Sequence, residues 1–158
     1  MENKLPVSVI IVNFNTKDLA KKALQALYSS SKLPEQVILV DNDSKDGSVY
    51  MVKDEFPEVL LIANKENSGF AKGNNLGIRQ FANQPYVWLL NSDTETGKNS
   101  LEQLVNYMEN HPEVGALGPQ MIYPDGGLQS VGGFFPSIAN VLYYFLPVVF
   151  FLPKFFRR

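Results

Sequence analysis

The sequence predicts an α/β fold, a mostly parallel sheet whose strands are flanked by helices. Short apolar runs at 7–12, 36–40, 59–63 and 86–90 alternate with segments of helical periodicity. Continuous rather than alternating apolar runs mark strands of a parallel sheet covered on both faces. Each run also stops at a loop rich in Asn, Asp and Ser. Right-handed crossovers bring all such strand-end loops to one edge of the sheet.

The first run, VSVIIV, is bounded by Pro6 and by the turn Asn13-Phe14-Asn15-Thr16. Residues 17–30 follow as a helix, with Leu19, Ala23, Leu24, Ala26 and Leu27 at helical spacing and Lys17, Lys21 and Lys22 left for solvent. The second strand, 36–40, ends in Asp41-Asn42-Asp43-Ser44, and a helix is expected over 48–55. The third, 59–63, ends at Asn64 and leads through a polar stretch into a helix over 70–81. The fourth, 86–90, ends in Asn91-Ser92-Asp93. A helix over 99–110 then places Leu101, Leu104, Val105 and Met108 on one face. Residues 114–117 and 121–123 are expected as two short further strands around Gly118-Pro119.

Composition narrows the function classes. The chain has 158 residues, 45% of them hydrophobic and 19% charged, which suits one folded domain with a real core. With no cysteine there is no disulfide, thiolate metal site or cysteine nucleophile, which fits a cytoplasmic setting. The lone histidine, His111, sits beside Pro112 at an expected helix end, a poor start for a histidine triad or zinc site. Residues 137–158 carry Lys154, Arg157 and Arg158 and no acid, leaving 11 basic against 16 acidic residues elsewhere. An acidic body argues against nucleic acid as a partner. The polar start, Met1 to Pro6, has no signal-peptide character.

The strand-end loops carry the chemistry. Asp93, with Thr94 and Glu95 after it, puts a carboxylate where open α/β sheets bind ligands. It either caps a turn or holds Mg²⁺ or Mn²⁺ against a diphosphate, since hard oxygen donors suit those ions. Asp41, Asn42 and Asp43 can accept from a base and from ribose hydroxyls, or can form an Asx-turn and helix cap. Phe14 can stack on a base or join the core. Gly69, Gly73 and Gly77 recur every fourth residue, with Asn74 and Asn75 between them. That spacing is not the dinucleotide fingerprint. It allows a helix to approach the sheet closely, and it allows backbone N–H groups and amides to face a ligand.

The segments VSVIIVNFN (7–15), VDNDSKDGS (40–48), NKENSGFAKGNNLGI (64–78), VWLLNSDTE (87–95) and YPDGGLQSVGGFFP (123–136) together resemble family 2 glycosyltransferases, particularly the bacterial rhamnosyltransferase-like branch. The resemblance implies a GT-A fold, with residues 1–136 as a donor-binding domain. It implies nucleotide-sugar contacts at Phe14, Asn15, Asp41, Asn42, Gly73, Asn74 and Ser92, and a Mg²⁺ or Mn²⁺ ligand at Asp93. The implied reaction is inverting, metal-dependent transfer of a sugar from dTDP-rhamnose or a UDP-sugar to a cell-envelope glycan or lipid-linked acceptor. Two departures stand out: Asn91 replaces the first Asp of the strict DxD element, and Gly133 stands where relatives often carry a basic residue. The resemblance also implies that the acceptor site and catalytic base lie beyond Arg158, so no base is assigned. Asp125 fits a Pro-Asp-Gly-Gly turn more simply. A non-catalytic sugar-nucleotide-binding module is the alternative. A nucleotidyltransferase would want a glycine-rich loop after the first strand, and Asn13-Phe14-Asn15-Thr16 has no glycine.

Residues 138–156 form an apolar run rich in Phe and Tyr, interrupted by Pro147 and Pro153. That is too broken for a span, which needs about 20 apolar residues. With Lys154, Arg157 and Arg158 it suits peripheral contact with anionic head groups, or cover by another protein surface. The membrane expectation predicts co-flotation with anionic liposomes that is lost when 138–158 are deleted. A chain that stays in the dense fraction, with deletion altering only solubility, would refute it.

Overall fold

The computed structural model describes residues 4–130. It divides into two compact units, Met1–Leu117 and Gly118–Arg158. The expected boundary at residue 136, Gly133 and the 137–158 tail lie outside the described residues.

In the first unit the elements alternate as expected. They are β1 (Lys4–Asn13), α1 (Lys17–Tyr28), β2 (Leu33–Asp41), α2 (Ser48–Glu55), β3 (Leu60–Ala63), α3 (Phe70–Gln80), β4 (Tyr86–Asn91) and α4 (Ser100–Asn110). The sheet order is β3-β2-β1-β4, and every pairing is parallel. The register between β1 and β2 shifts between Leu5 and Ser8, around Pro6, whose missing N–H cannot join a ladder.

The order explains the layers. From β1 to β3 the chain steps outward in one direction, and from β3 to β4 it returns across β2 and β1. Right-handed connections then place α1 and α2 on one face and α3 on the other. The core residues divide accordingly. Val9, Ile11 and Leu39 pack with Leu24 and Leu27 of α1, Met51 and Val52 of α2, and Leu101 and Val105 of α4. Ile10, Ile38, Val40 and Ile62 form the opposite layer with Leu76 of α3. Ile10, Ile11, Ile38 and Leu39 have no exposed surface, and each such side chain contributes about 1.5–3 kcal/mol by burial.

α3 lies low on β1 and β2 because Gly73 and Gly77 face the strands. A Cβ at Gly77 would stand 2.9 Å from Ile10 Cγ2 and 3.3 Å from Val40 Cγ2, and one at Gly73 would stand 2.9 Å from Val12 Cγ1. The close-approach role therefore holds for Gly73 and Gly77, whereas Gly69, ahead of the helix at a φ of 79°, has nothing within 4 Å of a Cβ.

Several expectations change. Leu19 is 43% exposed, because the buried stripe of α1 runs through Ala20, Ala23, Leu24 and Leu27 and Leu19 lies about 100° off it. Residues 114–117 are not a strand: Gly115 interrupts the run, and the Val114 N–H turns back to His111 O at 2.9 Å. β4 pairs with β1 alone among the described residues, and Val87 and Leu89 are 43% and 47% exposed, so cover on both faces is incomplete there.

In the second unit, β5 (Met121–Ile122) pairs antiparallel with an unanticipated β6 (Leu128–Gln129). Asp125 serves the turn between them, its Oδ1 accepting from Gly127 N–H at 2.9 Å, while Gly126 takes a φ of 85°.

The glycine contacts generate a stability prediction. Alanine favours a helix over glycine by up to about 1 kcal/mol, whereas overpacking costs about 1–3 kcal/mol. Gly77→Ala is expected to lose about 1–2 kcal/mol net in urea unfolding. Unchanged or raised stability would show that α3 can lift from the sheet at no cost.

Candidate functional site

The parallel register aligns the strand ends. Asn13 lies opposite Asp41, Asp41 opposite Ala63, and Val12 opposite Asn91. Asn13, Asp41, Asn64 and Asn91 thus close the strands along one edge. The strand order reverses between β1 and β4, and crevices at such a reversal are where open α/β sheets take ligands.

Beneath the edge is a buried polar layer. Asn13, Asp41 and Asn42 are 0%, 1% and 2% exposed. Polar groups so deep must be hydrogen-bonded, and these are. Asp41 Oδ2 accepts from Asn13 Nδ2 at 2.9 Å, and its Oδ1 accepts from Ser44 N–H at 2.9 Å. Asn42 Oδ1 accepts from Asn64 Nδ2 at 2.8 Å and Ser68 Oγ at 3.2 Å, while its Nδ2 donates to Gly69 O at 3.2 Å. The side chains of Asp41 and Asn42 therefore pin the loops after β2 and β3 together.

The outer surface of the edge is formed by other groups. Phe14 is 45% exposed, clear of the core. Asn15 and Asp43 adopt φ of 53° and 66°, a region that Asn and Asp tolerate better than most residues. Asn15 closes onto the neighbouring loop: its N–H donates to Ser44 Oγ at 2.8 Å and its Oδ1 accepts from Lys45 N–H at 2.7 Å. Asp43 pairs with Lys45.

After β4, Thr94 N–H closes a turn on Asn91 O at 3.2 Å, leaving Asp93 exposed. Its carboxylate makes no hydrogen bond or ion pair among the described residues. Ser92 Oγ lies 3.0 Å from Thr16 Oγ1, which ties this turn to the end of β1. Among the described residues no three acids or histidines gather as a metal nest. A single free carboxylate with neighbouring oxygens fits a cation whose remaining ligands are water and substrate phosphate, the usual manner of Mg²⁺.

Gly73 and Asn74 are both buried, on the face of α3 turned to the sheet. Asn74 Nδ2 donates to Phe70 O at 3.0 Å, and its Oδ1 is buried without a partner. Of the expected contact residues, then, Phe14, Asn15, Ser92 and Asp93 reach the outer surface, and Asp41, Asn42, Gly73 and Asn74 lie beneath it.

Asp46 has a role that local sequence does not announce. Its Oδ2 accepts from Lys17 N–H at 2.8 Å, at the start of α1. Its Oδ1 accepts from Ser48 N–H at 3.0 Å and Ser48 Oγ at 2.6 Å, at the start of α2. One carboxylate thus caps two helices whose own N-cap residues, Thr16 and Gly47, make no side-chain cap. Burial raises its pKa, but the bonds from Ser48 Oγ, Lys17 N–H and Ser48 N–H outweigh this and hold the carboxyl below the usual aspartate range. Asn13, Thr16 and Ser44 are the other organising residues that pattern reading passed over. The available signal was a polar residue closing an apolar run, as Asn13 does after residues 9–12.

Residues 8–155 match the family model described as Glycosyl transferase family 2. The N-acetylglucosaminyl-diphospho-decaprenol L-rhamnosyltransferase of Mycobacterium tuberculosis is 29% identical over 148 residues, covering 87% of this chain and 48% of that protein. The O-antigen biosynthesis protein RfbC of Myxococcus xanthus is 24% identical over 129 residues, covering 80% of this chain and 10% of that protein. The chain thus spans about half the length of the mycobacterial relative. Its fold is shared with S. aureus TarS 1-349 solved with UDP (TM-score 0.61, 23% identity, 68% of this chain and 33% of that one). It is shared equally with the mannosyltransferase PcManGT from Pyrobaculum calidifontis in complex with GDP-Man and Mn²⁺ (TM-score 0.59, 23% identity, 65% and 32%).

The double cap predicts a pH-dependent loss. Asp46→Ala is expected to cost about 1 kcal/mol at pH 7, as for other lost caps. Because the folded pKa is depressed, the wild-type advantage is fully present above about pH 4 and disappears as pH falls through the folded value. Paired urea titrations across that range check this, and a difference that stays constant down to pH 2 would contradict it.

Proposed function

The chain belongs to glycosyl transferase family 2, and from that premise we propose that its polar edge binds a nucleotide-sugar donor for metal-dependent sugar transfer. The observation that carries the proposal is Asp93, an exposed carboxylate without a partner among the described residues, at the end of β4 beside the reversal in strand order. In this reading Phe14 stacks on the base and Asn15 contacts the nucleoside. Asp41 and Asn42 fix the loops that receive base and ribose. Gly73 and Asn74 set the depth of the helix bordering the nucleotide. Ser92 and Asp93 face the diphosphate.

Asp93 would hold the Mg²⁺ or Mn²⁺, which when bound would supply Lewis-acid stabilisation of the departing nucleoside diphosphate. The protein's own contribution is placement, since the turn that carries Asp93 is closed by the Thr94 N–H on Asn91 O and tied to the end of β1 through Ser92 and Thr16. In the inverting reaction proposed, the acceptor oxygen attacks the anomeric carbon, the bond to the diphosphate breaks, and a general base takes the acceptor proton. No described residue is assigned as that base.

The mycobacterial relative's name specifies an L-rhamnosyltransferase acting on a decaprenol-linked acceptor. That name supports a rhamnosyl donor such as dTDP-rhamnose and a lipid-linked or cell-envelope glycan as acceptor, and the TarS complex with UDP supports a UDP-sugar as the other donor. That acceptor class suits a cytoplasmic protein in peripheral contact with a membrane through residues 138–158. Among the described residues no helix is long and apolar enough to cross one.

Calorimetric titration of UDP and dTDP with and without Mn²⁺ tests the donor site. The expected result is Mn²⁺-dependent binding that weakens about 10–100-fold in Asp93→Ala, the range for loss of a metal-site group. Binding that ignores both Mn²⁺ and the substitution would sink the proposal. Turnover of dTDP-rhamnose and UDP-sugars separates the enzyme from the alternative, a sugar-nucleotide-binding module that binds the donor without transfer.

A further inference from the structure

Thr16 occupies the N-cap position of α1, where a threonine hydroxyl ordinarily accepts a hydrogen bond from the first turn. It makes no such bond. Asp46 takes over by accepting from Lys17 N–H. The freed hydroxyl turns toward the sheet, 2.6 Å from Asn13 Oδ1 and 3.0 Å from Ser92 Oγ. Thr16 therefore bridges the ends of β1 and β4 across the reversal in strand order.

The direction of each proton follows from the neighbours. Asn13 Nδ2 donates to Asp41 Oδ2 at 2.9 Å and to Ser44 Oγ at 3.1 Å, which fixes the amide and leaves Oδ1 to accept. Thr16 has one hydroxyl proton and gives it to Asn13 Oδ1. The Thr16–Ser92 bond must then take its proton from Ser92. Ser92 Oγ is left with lone pairs only, one residue before Asp93 on the same turn.

We propose that Thr16 is a positioning residue that makes Ser92 an acceptor-only oxygen beside Asp93. Such an oxygen suits a hard divalent cation shared with a nucleoside diphosphate, and does not suit direct hydrogen bonding onto phosphate oxygens. The buried Asp41 anchors the arrangement, because every donor from Ser92 through Thr16 and Asn13 points toward it. The inference rests on the donor-site reading above and adds how the oxygens of that site are oriented.

The test is titration of UDP and dTDP, with and without Mn²⁺, into the full chain and its Thr16→Val, Thr16→Ser, Ser92→Ala and Thr16→Val/Ser92→Ala variants. Thr16→Val and Ser92→Ala are each expected to weaken Mn²⁺-dependent binding by about tenfold or more, as losses around a metal site do. The double variant should be no weaker than Ser92→Ala, since residues that act through one another are not additive. Thr16→Ser, which keeps the hydroxyl, should retain the wild-type affinity. Equal losses with and without Mn²⁺, or fully additive losses, would overturn the proposal by reducing Thr16 to a general loop contact. Should Thr16→Val fail to fold, Thr16→Ser against Ser92→Ala decides: wild-type affinity in the first with loss in the second supports the proposal, and equal loss in both overturns it. Mn²⁺-dependent binding by the wild type that no variant alters defeats this inference alone, whereas no such binding by the wild type defeats the donor-site reading as well.

Discussion

Asp41 sits at the end of a central strand with 1% of its surface exposed, and burying a carboxylate there without hydrogen bonds would cost several kcal/mol. The fold meets that requirement with Asn13 from the neighbouring strand and the Ser44 N–H from the following loop. Much of the polar edge depends on this arrangement. Asn13, committed to Asp41 by its amide nitrogen, has an oxygen free to hold Thr16, and Thr16 reaches the turn after β4. Asn42, next along the chain, does the same on the other side by gathering Asn64, Ser68 and Gly69. The loops that would receive a ligand are thus set by contacts made below them. Pre-organisation of that kind lets an outer group such as Asp93 stay exposed, unspent on holding the loops.

Much of the fold was legible because the governing signals are local. The continuous apolar runs marked β1 to β4, and the helix over 48–55 has the expected limits. The glycine spacing anticipated the close seat of α3 at Gly73 and Gly77, since a spacing of four keeps both on one helix face. What was not legible depends on partners distant in sequence. Nothing around Asp46 reveals that its second oxygen caps a helix 29 residues earlier. The burial of Asp41 and Asn42 follows from strand register, which composition does not encode. Leu19 looked like core because it is apolar at a helical spacing, yet the strip facing the sheet begins one residue later. Residues 114–117 were apolar enough for a strand and too interrupted by Gly115 to make one.

The molecule also separates its apolar and polar recesses. A recess of about 430 Å³ between β4 and α4, lined by Tyr86, Trp88, Leu101 and Met108, lies by the start of β4. The polar edge lies where the strands finish, with a recess of about 460 Å³ bounded by Asn15, Thr16, Lys17 and Asp46. Apolar lining alone would draw attention to the first. The convergence of hydrogen-bonding loops at the reversal in strand order is the better guide to a charged ligand, because it places dipoles and a free carboxylate where phosphate and cation can be shared.

The left-handed backbone at Asn15 and Asp43 bears on which sequences this edge can accept. Each position asks for a residue that tolerates positive φ, so Asn, Asp and Gly are admitted there and branched or bulky side chains are not. Asn15 is restricted a second time, because its side-chain oxygen also receives the Lys45 N–H. Part of the acidic and amide character of these loops is therefore a demand of chain geometry, made before any ligand arrives. A lineage that kept the fold alone would go on carrying Asn, Asp or Gly at these two turns, whereas Asp93, which no hydrogen bond or ion pair among the described residues holds in place, would be free to drift.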